Sequence, residues 1–128
     1  MKLIVLVLNF FFFFPTNATD DWVKVFKGKQ GIEFYINLES LKVQENIRII
    51  KILINRSTPS KYGDLSSIIK RNVNCNELMY RDLEKNFFKG SMGNGSLSRG
   101  SGVILNPKWE YVHPGSSGGE LIRLICNI

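Results

Sequence analysis

The sequence predicts an α+β domain, an antiparallel sheet of about five or six strands packed by one C-terminal α-helix that a disulfide ties down. Three observations predict it. The segments 32–38 and 47–55 carry the two-residue apolar period of strands, and turn residues bracket both. The segment 117–128 instead carries a helical period, with a wide apolar arc and a thin polar back. The only two cysteines, Cys75 and Cys126, fall at the end of a strand and in the last turn of that helix.

The elements follow in order. "DWVKVFK" alternates and is rich in strand formers, with Trp22, Val23, Val25 and Phe26. "KGKQG" makes a turn. "IEFYINL" then places Ile32, Phe34, Ile36 and Leu38 on one side and Glu33, Tyr35, Asn37 and Glu39 on the other, so the pair reads as a hairpin. "ESLKVQEN" reads as a connection. In "IRIIKILIN" both sides are mostly apolar: Ile50, Ile52 and Ile54 on one, Ile47, Ile49 and Leu53 on the other. A strand apolar on both sides belongs in the middle of a sheet, covered above and below. "LSSIIKRNVNC" is a further strand, with Ile69, Arg71, Val73 and Cys75 on one side. "NELMYRDLEKNFFK" fits helix and strand equally: Met79, Leu83 and Phe87 have helical spacing, while Tyr80, Phe87 and Phe88 suit a strand. "GSMGNGSLSRGSG" reads as a mobile loop, "VILNPKWEYV" as a strand and "HPGSSGG" as a turn. Ser117 and Glu120 have the spacing of a capping box, which starts the helix at Ser117.

The N-terminus reads as a leader. Lys2 precedes an apolar run from Leu3 to Phe14, Pro15 ends it, and small or polar residues follow. That is the pattern of a secretory signal peptide, and the run is short of the roughly 20 residues a membrane-spanning helix needs. Cleavage is expected after Ala18, giving a single domain over residues 19–128 that is exported, periplasmic or secreted. The whole chain has 17 basic and 11 acidic residues. Losing Lys2 leaves it basic, which favours acidic partners, with solubility as the plainer explanation. No block of like charge and no aromatic series accompanies the basic residues, so no nucleic acid is expected.

An even cysteine count in an exported chain reads as a disulfide, and two cysteines have one intramolecular pairing. Cys75 and Cys126 are 51 positions apart. The chain-entropy model assigns about 4 kcal/mol to closing such a loop. A metal site is not expected, since His113 is the sole histidine and no CxxC is present. The helix covers one face of the sheet. The other face keeps Leu53 and its neighbours, which predicts self-association as a homodimer, or else a curled sheet whose hairpin from Trp22 to Leu38 folds over that face.

Several pieces then resemble one family. Trp22 opens the first strand; Tyr35 sits in "EFYINLESLK"; "VNC" ends at Cys75; "YRDL" and "FFKGSMGNG" bring Met92, Gly93 and Gly95; "WEYVHPGS" brings Trp109, Pro114 and Gly115; Cys126 closes the series. In this order they resemble the surface-adhesin protein E family of exported bacterial proteins. The resemblance implies a small antiparallel sheet packed by a C-terminal helix, a strand rather than a helix over 78–88, and a role in attachment. It implies as partners host extracellular matrix or plasma proteins, or bacterial envelope components. One departure is plain: no cysteine stands near the expected cut, so lipid anchoring through an N-terminal cysteine is not expected.

Glu110, His113 and Arg123 lie close in sequence and are the residue types of small basic ribonucleases. A lone histidine beside a strand glutamate is more often structural, and the chain reads as non-enzymatic and without cofactor. The Gly-rich run lacks the Lys and Ser/Thr of a phosphate-binding loop and leads into Val103 and Ile104, so a hairpin loop explains it. Tyr35, Tyr62, Tyr80 and Tyr111, with nearby lysines, offered a polymer-binding face; ordinary strand positions explain them as well.

Overall fold

The computed structural model describes residues 21–128, so the leader and its cut lie outside the described residues. Seven strands form one antiparallel sheet in the order β1-β2-β3-β4-β5-β6, with β7 also paired to β5. The strands are β1 (Val23–Lys27), β2 (Glu33–Gln44), β3 (Ile47–Asn55), β4 (Ser66–Asn74), β5 (Met79–Phe88), β6 (Gly102–Val103) and β7 (Glu110–Tyr111). One helix, α1 (Ser117–Cys126), follows. The α+β class therefore holds, and of the region left open by periodicity, 78–88, all but the turn residue Leu78 is strand.

The core lies between α1 and one face of the sheet. Phe34 and Ile36 on β2, Ile50 and Ile52 on β3 and Val73 on β4 meet Leu121, Ile122 and Ile125 of α1. Ile52, Ile122 and Ile125 are completely buried. Each such side chain stabilises the fold by about 1.5–3 kcal/mol through apolar burial. Phe26 and Phe34 extend this layer by stacking at 4.7 Å between ring centroids. Cys75 and Cys126 are joined, with their Cα atoms 5.6 Å apart.

Five sequence expectations need correction. The helix cap is Ser116, whose hydroxyl accepts from the Gly119 amide at 3.0 Å; Ser117 is the first helical residue, and Glu120 is one position too late for the box. The "ESLKVQEN" connection is mostly strand, because β2 continues to Gln44 past an irregularity between Asn37 and Lys42. Asn37, expected on the wet side, is 4% exposed and builds that irregularity. Its Oδ1 accepts from the Glu39 and Ser40 amides. Ser40 Oγ in turn accepts from the Lys51 amide, restoring the ladder to β3. Within the disturbed stretch Leu38 turns outward to 46% exposure. "VILNPKWEYV" is not one strand; β6 and β7 are two-residue pieces either side of a loop.

The fifth correction concerns the face opposite α1. Leu53, expected to be left bare, is fully buried. The turn Ser91–Gly93 lies over it: a Cβ on Gly93 would stand 2.9 Å from Ile68 Cδ1 and 3.6 Å from Leu53 Cδ1. The premise for a homodimer, an uncovered Leu53, therefore falls.

Replacing both cysteines by serine removes the clamp on α1 while leaving the sheet ladder intact. The expected loss is up to about 4 kcal/mol in urea unfolding. The amides of Leu121, Ile122 and Ile125 should then exchange well before those of Ile50 and Ile52.

Candidate functional site

The residues singled out by sequence do not form one site. Two groups emerge. The first is structural. Glu33 Oε1 accepts from Tyr35 Oη at 2.9 Å and from Asn55 Nδ2 at 3.3 Å, while Lys24 Nζ stands 3.1 Å from Oε2. Asn55 Oδ1 accepts from the Met92 amide at 2.8 Å, and Ser66 Oγ accepts from the Gly93 amide at 2.8 Å. Ser66 also donates to the Gly90 carbonyl at 2.7 Å. So Tyr35, Met92 and Gly93 belong to one hydrogen-bonded chain that seats the Gly-rich segment on the sheet. Met92 and Gly93 both have positive φ, 56° and 77°, which the turn requires. Gly95, with φ of 87°, brings its backbone against Gly90.

The donors around Glu33 favour its ionised form. Tyr35 contributes most, then Lys24 and Asn55, and the carboxyl is held from its ordinary 4.5 down to about 2. The reciprocal effect, with burial first, raises the Tyr35 phenol.

Elsewhere the motif residues are separate. Trp22 leads into β1. Trp109 lies under the Arg81 guanidinium at 4.5 Å. Pro114 and Gly115, the latter with φ of 79°, turn the chain into the Ser116 cap. The four tyrosines are scattered rather than gathered on one face. Tyr80 packs against the buried Arg71, whose Cζ is 4.3 Å from the ring, and Arg71 makes a two-pronged pair with Asp82 at 2.6 and 3.1 Å. Burial chiefly raises the Tyr80 phenol, against the opposing pull of Arg71. Glu110 and Arg123 are also apart: Glu110 sits on β7 beside Tyr80 of β5, whereas Arg123 borders a shallow groove with Val25 and Phe26 of β1, across the sheet. Among the described residues no group of three or more His, Cys, Asp or Glu side chains could hold a metal ion.

The second group was not foreseen. The β3–β4 loop and the segment after β5 face each other across an open cleft of about 1210 Å³. Arg56, Lys61, Lys89 and Arg99 line it, with Asp64 as the one acidic residue. Asp64 is buried and engaged, accepting from Ser60 Oγ. Tyr62 at 73% and Leu97 at 56% exposure supply the apolar surface. Lys61 Nζ lies 5.1 Å from the Tyr62 ring centre. Both walls are built rather than loose. In the first, Arg56 N bonds Leu65 O and Ser60 N bonds Asp64 O; in the second, Lys89 N bonds Ser96 O, Gly90 N bonds Asn94 O and Ser98 N bonds Phe87 O. The Gly/Ser-rich run thus forms a hairpin-like turn tied back by backbone bonds. The signal that could have pointed to the cleft was "SKYGD", a lysine–tyrosine pair set between turn residues.

A family model described as surface-adhesin protein E matches residues 22–127. The chain belongs to the surface-adhesin protein E family. As a protein E relative it shares the fold of Haemophilus influenzae protein E. Crystal form II of that protein aligns at 16% identity over 88% of this chain and 92% of that one, with a TM-score of 0.64. A second Haemophilus influenzae protein E structure aligns at 16% identity over 88% and 89%, with a TM-score of 0.62. Protein E from non-typeable Haemophilus influenzae gives 14%, 88% and 80%, and 0.57. At these identities the likeness is one of fold. No curated protein sequence matches the chain. No helix among the described residues is long and apolar enough to cross a membrane.

Two outcomes are expected for the segment around Met92 and the strand residues that seat it. Gly93→Ala forces a side chain into the left-handed region and against Ile68, at a cost of about 1–2 kcal/mol for the backbone alone in urea unfolding. Glu33 stabilises the fold fully above its ordinary value of 4.5, and that contribution is lost as pH falls through its folded value of about 2. Across that window Glu33→Gln should show a shallower fall of melting temperature than the parent, with Lys24 and Tyr35 intact.

Proposed function

We propose that this chain is an exported, non-catalytic adhesin-type protein that binds host extracellular matrix or plasma proteins through the basic cleft. One observation supports the reading above others: the cleft sets four basic side chains around an exposed Tyr62 and Leu97, with its single acid already engaged. That is the composition of a surface that docks a partner by charge and then buries apolar contact. It offers no histidine, cysteine or free carboxylate as general base or nucleophile. The family membership points the same way, towards attachment at a surface. Export rests on the leader pattern of residues 1–18.

Bacterial envelope components are the competing partners. Purified protein passed over immobilised matrix and plasma proteins, and in parallel over envelope extract, separates the two. Retention on the host proteins, weakened by salt and by Lys61→Ala with Arg99→Ala, is expected. Retention on envelope extract alone would place the function in the envelope. A ribonuclease assay should show no turnover, and His113→Ala no change; turnover abolished by that substitution would overturn the non-catalytic reading.

A further inference from the structure

We propose that the cleft recognises a sulfated polysaccharide, an extended sugar chain with repeated anionic groups. The inference rests on the reading of the chain as a binding protein and names the chemistry it binds. Size argues first. At about 1210 Å³ the cleft exceeds the roughly 300–1,000 Å³ of pockets for single small molecules, and it is open along its length. A lone sulfate or phosphate would leave most of it empty. Charge argues next. Arg56 and Lys61 come from the β3–β4 wall and Lys89 and Arg99 from the other, so the positive charge is spread along both sides rather than focused at a point. A ligand that matches must carry several anions separated along its length. Lys89 Nζ reaches across, 3.5 Å from where a Cβ on Gly63 would stand, so the two walls approach each other there.

The remaining surface selects the kind of polyanion. In the Gly-rich segment the amides of Lys89, Gly90, Gly93 and Asn94 are all bonded within the protein, so that turn is not a phosphate cradle. Single-stranded nucleic acids are held by stacking successive bases on several aromatic rings. Here Tyr62 is the one exposed aromatic ring at the cleft. A single exposed ring flanked by a cation suits the C–H face of one sugar, with sulfates on neighbouring sugars meeting the basic side chains. Arginine forks grip carboxylates and tetrahedral oxyanions alike, so what favours a sulfated chain is its density of anions, which four basic side chains within one cleft match.

Calorimetric titration of the full chain with a heparin decasaccharide tests this, with hyaluronan, oligo(dT) and inorganic sulfate in separate arms. Lys61→Ala with Arg99→Ala should weaken the decasaccharide by about tenfold or more and make its salt dependence shallower by roughly two contacts. Lys42→Ala with Lys108→Ala, two exposed residues outside the cleft, should stay within about twofold, and melting curves confirm that both variants fold. Equal losses in the two variants would mean diffuse attraction and overturn the proposal. So would hyaluronan or oligo(dT) binding as tightly as the decasaccharide, or inorganic sulfate displacing it at the same concentration. Absence of saccharide binding while retention on matrix proteins persists would sink this inference and leave the adhesin reading standing.

Discussion

A ten-residue helix has almost no stability by itself, and α1 keeps its place because the sheet and the Cys75–Cys126 bridge hold it from two sides. Its apolar arc has one place to go, the face carrying Phe34, Ile36, Ile50, Ile52 and Val73. The bridge fixes the C-terminal end beside β4, and the Ser116 cap fixes the N-terminal end. Between them Leu121, Ile122 and Ile125 are pressed out of water. If that layer opens, the central strand loses the cover on one of its two apolar faces, which is why so small an element governs the whole domain.

The second cover is less obvious and comes from a segment that looks unstructured on paper. Glu33, Asn55 and Ser66 reach from three neighbouring strands to the amides of Met92 and Gly93 and to the carbonyl of Gly90, directly or through one another. The glycines there serve close approach rather than motion. Gly93 lies flat on Ile68 and Leu53, closing the far side of the sheet. The same segment then supplies Lys89 and Arg99 to the cleft, so core packing and presentation of charge depend on one stretch of chain.

Much of the fold was legible because it depends on local pattern. The alternation in Ile32–Ile36, the doubly apolar Ile47–Asn55 and the helical arc of Leu121–Cys126 each carry a period that the fold keeps. What was not legible depends on pairs distant in sequence. Asn37 reads as polar and wet until Lys51 and Ser40 are seen to close a backbone irregularity around it. Leu53 reads as bare until Gly93, forty positions later, lies over it. Arg71 falls on the same strand face as Ile69 and Val73 in the sequence, but the Asp82 and Tyr80 that let it stay buried there are seen only in the fold. The cleft escaped for the same reason: its four basic residues are scattered along the chain and meet only when two loops face each other.

The strand order has a kinetic meaning. From β1 to β5 every strand pairs with the one next to it in the chain, so the meander can zip from hairpin to hairpin with short loop closures. The docking of α1, like that of the turn at Gly93, joins parts far apart in sequence, and it comes after the sheet in chain order. Until then Cys75 sits on a finished strand end with its partner thiol still searching. The search is confined to a helix tethered through β7 to the neighbouring strand, which keeps the effective concentration of the two sulfurs high and makes oxidation the latch on an already assembled sheet.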